Sequence, residues 1–219
     1  MNEKVVLLHG YHKKKSDMQV LKENLEKLGY QIILVELPLT FKTIKKAGKI
    51  FKNKLHNIRL KLKKGEKINL AAHSSGGLVL RNYLAELEDK SYIKRVVLIA
   101  TPNSGSRLAA KSNKYLPFFT KIFKTLDSIV PDNLEEIKLS SGEEIEIGAI
   151  AGTKSNLFLG KLLKGANDGR IEVNSVKADF LTDFIMLPYG HKEIHYQFKT
   201  AKAVACFFQN GNFKSLKNN

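Results

Sequence analysis

The chain has 219 residues, 43% of them apolar and 26% charged, an ordinary composition for a soluble globular protein that closes a sizeable core without staples. No apolar run approaches the roughly 20 residues of a membrane span, and a lone Cys206 excludes an internal disulfide. The formal net charge is +16, yet only five of the 37 basic residues are arginine and the lysines are spread throughout, a pattern that argues against specific nucleic-acid recognition.

In chain order, "KVVLLHG" reads as a short apolar strand ended by Gly10, with no h-region or cleavage site of a signal peptide. A cytoplasmic location is therefore the default expectation; an export signal removed upstream would leave the same sequence. "SDMQVLKENLEKLG" predicts a helix with Ser16 as N-cap and Met18, Leu21, Leu25 and Leu28 on one face. "YQIILVELP" is the second strand. Leu37–Gly65 holds ten basic residues and no acid, with Ile44, Ala47, Phe51, Leu55, Ile58 and Leu62 at helical spacing, so an amphipathic helix with a lysine-coated outer face is expected. The sharper reading of that face is a patch that holds an anionic membrane surface or nucleic acid weakly, by charge alone. "KINLAAH" is the third strand and "GGLVLRNYLAELED" the helix after it. "KRVVLIATP", "EEIEIGAIAGT" and "DFIMLPYG" give three more strands. "HYQFKTAKAVACFFQNG" closes the chain as a helix with Phe198, Ala201, Ala205 and Phe208 on one side. Apolar strands alternating with helices predict an α/β domain over residues 1–219, with about six mainly parallel strands covered on both faces.

In such sheets, sites form at the carboxyl ends of the strands. "AHSSGG" stands at the end of the third. A side chain at the apex of a sharp strand-to-helix turn demands small residues two positions before and after it. Around Ser74 these are Ala72 and Gly76; around Ser75 the residue two before is the bulky His73. Ser74 is therefore the apex, and Ser75 offers its backbone N–H at a helix N-terminus. Other strand ends supply companions. "HG" at the end of the first strand makes the Tyr11 N–H a second donor, Asp168 lies in "NDGRIEV" after the fifth, and His191 lies in "YGH" after the sixth. His195 competes with His191 but falls within the predicted closing helix; Asp179 and Asp183 compete with Asp168. A serine hydroxyl attacks at neutral pH only when a histidine takes its proton and a carboxylate orients that ring. His9 and His73 are expected to be structural, His12 and His56 to lie at the surface, and Asn103, Ser104 and Ser106 to shape a loop. "HKEIH" lacks the Glu that a zinc helix needs after its first His, so no metal or other cofactor is expected.

With "VVLLHGY", "AAHSSGGLVLR", "VVLIATPNSGSRLA", "NDGRIEV" and "LPYGHKEI" in this order, the sequence resembles the α/β-hydrolase superfamily almost end to end, in particular its small lipase- and esterase-like branch with a minimal cap. Its departure is Ala72 in place of the first elbow glycine. The resemblance implies an α/β-hydrolase fold, Ser74 as nucleophile, Asp168 as acid, His191 as base, and the Tyr11 and Ser75 amides as oxyanion hole. It also implies hydrolysis of a small-molecule or lipid acyl ester through an acyl-enzyme. An acyltransferase or thioesterase on the same fold and a non-catalytic binding protein stay open as alternatives; no obligate protein partner is implied. The insertion 103–142 contains "KYLPFFTKIFKTL", broadly apolar at helical spacing. Phe118, Phe119, Ile122 and Phe123, with Tyr11, are the candidates for an acyl-binding wall or lid, and a core helix fits that segment equally.

Overall fold

The apolar runs become six strands in a computed structural model that describes residues 3–110, 124–130, 134, 145–155, 160–161 and 163–217. They are β1 (Lys4–Leu8), β2 (Gln31–Val35), β3 (Ile68–His73), β4 (Ile93–Ile99), β5 (Glu146–Gly152) and β6 (Asp183–Leu187). All pair in parallel, in the order β2-β1-β3-β4-β5-β6, so every carboxyl end emerges on the same edge with β3 near the middle. Because successive side chains alternate between faces, a strand covered on both sides is apolar at every position. In β1, Val6 and Leu8 join one core with Phe51, Leu55, Leu78 and Tyr83, while Val5 and Leu7 join the other with Leu21, Leu25, Phe207 and Phe208.

The helices that supply these layers are α1 (Gln19–Lys27), α2 (Ile44–Arg59), α3 (Ser75–Ala85), the short α4 (Lys124–Asp127) and α5 (Val173–Val176), and α6 (Phe198–Asn210). The predicted basic helix is α2. Thr43 caps it by accepting from the Lys46 N–H at 3.3 Å, and it buries Ile44, Ala47, Phe51 and Leu55 with the Phe51 ring edge-on to Tyr83 of α3. Its lysines face outward. Among the described residues no helix is long and apolar enough to cross a membrane.

Two expectations are corrected. Ser16 does not cap a helix: it lies inside a 3-10 turn, Lys15–Met18, that precedes α1. The closing helix is broken, because Gln197 is extended and separates a 3-10 turn at Ile194–Tyr196 from α6. His195 therefore belongs to that turn, and Phe198, at the first position of α6, is 43% exposed while Ala201, Ala205 and Phe208 are buried.

Candidate active site

Ser74 follows the last residue of β3 and precedes the first of α3, with φ 55° and ψ −130°, a backbone region that side chains disfavour. Its N–H is anchored to the Ile99 carbonyl at 2.8 Å. The glycines that follow are required by close approach. A Cβ at Gly76 would stand 2.3 Å from the His9 carbonyl oxygen, and one at Gly77 would stand 2.0 Å from Thr101 Oγ1. The turn thus presents the Ser74 side chain at the sheet edge while α3 packs tightly behind it.

Asp168 and His191 are brought to it from the ends of β5 and β6. The buried Asp168 carboxylate accepts from the Ile171 and Arg170 main-chain N–H groups through Oδ1, at 2.7 and 3.0 Å. Its Oδ2 accepts from His191 Nδ1–H at 2.7 Å. With Nδ1 carrying the proton, His191 Nε2 is left as an acceptor, and the Ser74 hydroxyl donates to it at 3.0 Å. The His191 N–H also bonds the Asp168 carbonyl, so the two loops are locked together. The competing acids stand elsewhere: Asp183 accepts from the Phe213 and Phe184 amides at the amino end of β6, and Asp179 is exposed.

The remaining histidines sort as structural or surface groups. His9 Nδ1–H donates to the Gly10 carbonyl at 2.9 Å and Nε2 accepts from the Leu37 N–H at 3.0 Å. Since the carbonyl and N–H of a trans peptide point opposite ways, fixing the Gly10 carbonyl fixes the direction of the Tyr11 N–H. Gly10 lies against Ser74, where an added Cβ would be 3.0 Å from the serine's own. Ser75 is fully buried at the first position of α3. His12 and His56 are exposed. The loop after β4 is held as expected: Asn103 donates to the Val176 carbonyl at 2.7 Å, its own carbonyl accepts from buried Arg81 at 2.6 Å, and Ser106 Oγ accepts from the Ala109 N–H. Burial brings the Arg81 guanidinium down to about 10.

One cluster escaped the sequence. His73 Nε2–H donates to the His191 carbonyl at 3.0 Å, and its ring stacks on His195 with centroids 4.1 Å apart. His195 Nε2–H reaches Asp17 Oδ2 at 3.0 Å, while Asp17 Oδ1 accepts from Lys13 and the Tyr196 hydroxyl at 2.7 and 2.6 Å. Burial pushes the His73 imidazole well below its ordinary value, helped by its two histidine neighbours, and burial likewise lowers His195 against the pull of Asp17. Burial also works to raise the Asp17 carboxyl, but the bonds from His195, Lys13 and Tyr196 outweigh it and hold it far below the carboxylate range. Ligand atoms of Asp17, His73 and His195 lie within 4.8 Å of one another. The two rings are near parallel, at 28°, so their in-plane lone pairs do not converge on one ion. The cluster is a hydrogen-bonded stack behind His191.

A pocket of about 250 Å³ opens over Ser74 and His191. Tyr11, Leu108, Ala109, Ile129 and Ile171 give it an apolar lining, and Lys13, Arg170 and Lys192 are its cations. Tyr11, expected on an acyl-binding wall, lines this pocket. Phe118, Phe119, Ile122 and Phe123 lie outside the described residues. Of the insertion 103–142, Ser106, Leu108, Ala109 and Ile129 line the pocket, and the Ile129 carbonyl is anchored to the Ser106 N–H.

A family model described as alpha/beta hydrolase fold matches residues 4–128. No curated protein matches the chain. Among solved structures, the lipase BlEst2 of Bacillus licheniformis superposes in its mature form with a TM-score of 0.80 at 20% identity, over 96% of this chain and 92% of that one. Its propeptide form gives 0.83 at 19%, over 94% of this chain but 50% of that one, so the present chain spans half its length. Phospholipase PlaB from Legionella pneumophila matches with 0.75 at 16%, over 100% of this chain and 62% of that one. A metagenomic carboxyl esterase, MGS0156, matches with 0.76 at 16%, over 93% and 75%. At these identities the likeness is one of fold.

Proposed function

Because the chain belongs to the α/β-hydrolase fold family, we propose that it is a serine hydrolase that cleaves carboxylic esters through an acyl-enzyme. The observation that carries this reading is the unbroken hydrogen-bond line from Ser74 through His191 to Asp168, at 3.0 and 2.7 Å, beneath a partly apolar pocket. Each link has a chemical task. Asp168 holds the His191 ring in the tautomer whose Nε2 accepts, and stabilises the imidazolium that forms. His191 takes the hydroxyl proton as Ser74 Oγ attacks the ester carbonyl carbon. Negative charge then develops on the carbonyl oxygen, where the Tyr11 and Ser75 amides face it, the first aimed by His9 and the second reinforced by the α3 N-terminus. His191 protonates the departing alcohol, next deprotonates water for attack on the acyl-serine, and finally returns the proton to Ser74. The lipase and esterase names of the structural neighbours agree with this class of reaction.

Labelling with a fluorophosphonate tests it. The probe should modify Ser74, identified by mass spectrometry of the digested protein, and Ser74→Ala should neither label nor hydrolyse p-nitrophenyl butyrate. A folded wild-type chain that takes no label and turns over no ester refutes the reading.

A further inference from the structure

We propose that the ester this pocket takes carries an anionic group, a phosphate or a carboxylate, and that Arg170 receives it with help from Lys192; this rests on the reading of Ser74 as the nucleophile. Arginine is scarce here, five residues among 37 cations, and four of the five are visibly employed. Arg59 pairs with Asp89 and covers the Tyr92 ring. Arg81 bonds the Asn103 carbonyl. Arg95 pairs with Glu146 at 2.6 Å and bonds the Phe208 carbonyl, and Arg107 pairs with Glu172 at 3.3 Å. The fifth, Arg170, is half-buried in the pocket wall, and its guanidinium has no hydrogen-bond or ion-pair partner among the described residues. Its charge reaches Tyr11 in the same pocket: burial raises that phenol's pKa and Arg170 works against the rise.

A half-desolvated guanidinium is costly unless an anion answers it, and its planar fork fits two oxygens of a phosphate or carboxylate. Lys192, next to His191, adds a second cation to the pocket that is likewise unpartnered among the described residues; the third, Lys13, is already held by Asp17. Among the described residues that line the pocket none is acidic. The nearby Asp168 carboxylate is engaged by two amides and by His191, which stands between it and Ser74. The generally basic surface does not explain this arrangement. That surface is lysine on outward faces such as α2, whereas Arg170 is partly buried in the wall of the pocket that also holds Ser74 and His191. With Leu108, Ala109 and Ile129 available for an acyl chain, the fitting substrate is amphiphilic: an acyl group on the apolar lining and an anion near the scissile bond.

The test compares kcat/KM of the full chain on 1-octanoylglycerol, 1-octanoylglycerol 3-phosphate and octanoyloxyacetate, all below their micelle thresholds. An anionic ester should be favoured over the neutral one by about tenfold or more, the worth of a charge-assisted hydrogen bond; which anion leads names the group. Arg170→Gln should bring the ratio close to one, Arg170→Lys should keep part of it, and Lys192→Gln should lower it by a smaller factor. The Asp168 contacts use the main chain of residue 170, so these variants keep them, and circular dichroism checks the fold. Equal rates on all three esters, or a preference that survives Arg170→Gln or appears only in aggregated lipid, overturns the proposal. Ser74 labelled but no anionic ester turned over also overturns it, leaving the nucleophile standing. No label and no turnover of any ester removes the serine-hydrolase reading itself.

Discussion

Ser74 pays for its position in backbone conformation. Held at φ 55°, it sits where an L side chain crowds its own main chain and where glycine is at ease. Strain of this kind amounts to about 1–3 kcal/mol, offset in part by the greater chain entropy that glycine loses on folding. Ser74→Gly should therefore be more stable than Ser74→Ala by about 1 kcal/mol, read as a shifted urea midpoint, while both lack esterase activity. Coincident midpoints would mean that the turn stores no strain. The same turn explains why this residue was legible from sequence. Ala72, Gly76 and Gly77 are small for reasons of contact, and a contact imposed two residues away leaves a trace in the sequence. Asp168 and His191 were picked out because each lies in a connection that follows a strand, and the structure brings both to the edge where the parallel sheet gathers its ends. Arg170 was not. One arginine among many cations carries no information until the partners of the other four are known.

Elements converge behind His191 in a way that couples the site to pH. The His73–His195–Asp17 stack joins the end of β3, the turn before α6 and the turn before α1. Both imidazoles hold protons less tightly in the folded chain than in the unfolded one. Their contribution to stability is thus complete above the ordinary imidazole value of about 6.5 and is lost as pH falls below it. Asp17, depressed by its three donors, adds a term that stays intact until the pH drops below the normal carboxylate value of about 4. Between pH 7 and 5 only the histidines act, at up to about 2 kcal/mol for each one that stays neutral at pH 5. The unfolding free energy of the wild type should fall over that interval, and that of His73→Phe should fall less far, whatever its absolute value. Equal falls in urea titrations at the two pH values would show that His73 is not the group being titrated. This stack also marks where reading by element failed. The strands were legible because burial on both faces writes an uninterrupted apolar run. Ser16 passed for a cap because serine before an apolar repeat is a local signal, whereas the neighbouring Asp17 is claimed by Tyr196 and His195, far along the chain. His195 passed for a helical residue because nothing local announces the extended Gln197.

At the scale of the whole molecule the governing quantity is the formal net charge of +16. Two effects of salt oppose each other. Local pairs such as Lys4–Glu66, Lys22–Glu26 and Lys94–Glu3 lose attraction as ions screen them. Those pairs are at least partly solvated, and such pairs contribute little to stability. Repulsion among the cations that have no acid to answer them acts over the whole surface. At 0.01 M salt the screening length of about 30 Å spans much of a domain, and at 0.15 M it shrinks to about 8 Å. The long-range repulsion is therefore screened more completely than the contacts, and the folded state, which concentrates the charge, gains more than the unfolded one. Tm should rise between 10 and 300 mM sodium chloride by about 2–4 °C, the shift expected for about 1 kcal/mol in a chain of this length. A fall would mean that the ion pairs outweigh the excess cations. The same screening acts on the pocket. If Arg170 and Lys192 draw an anionic ester partly by field, the preference for that ester should narrow over the salt range in which the fold itself grows more stable, and scanning calorimetry beside the kinetic ratio would separate the two.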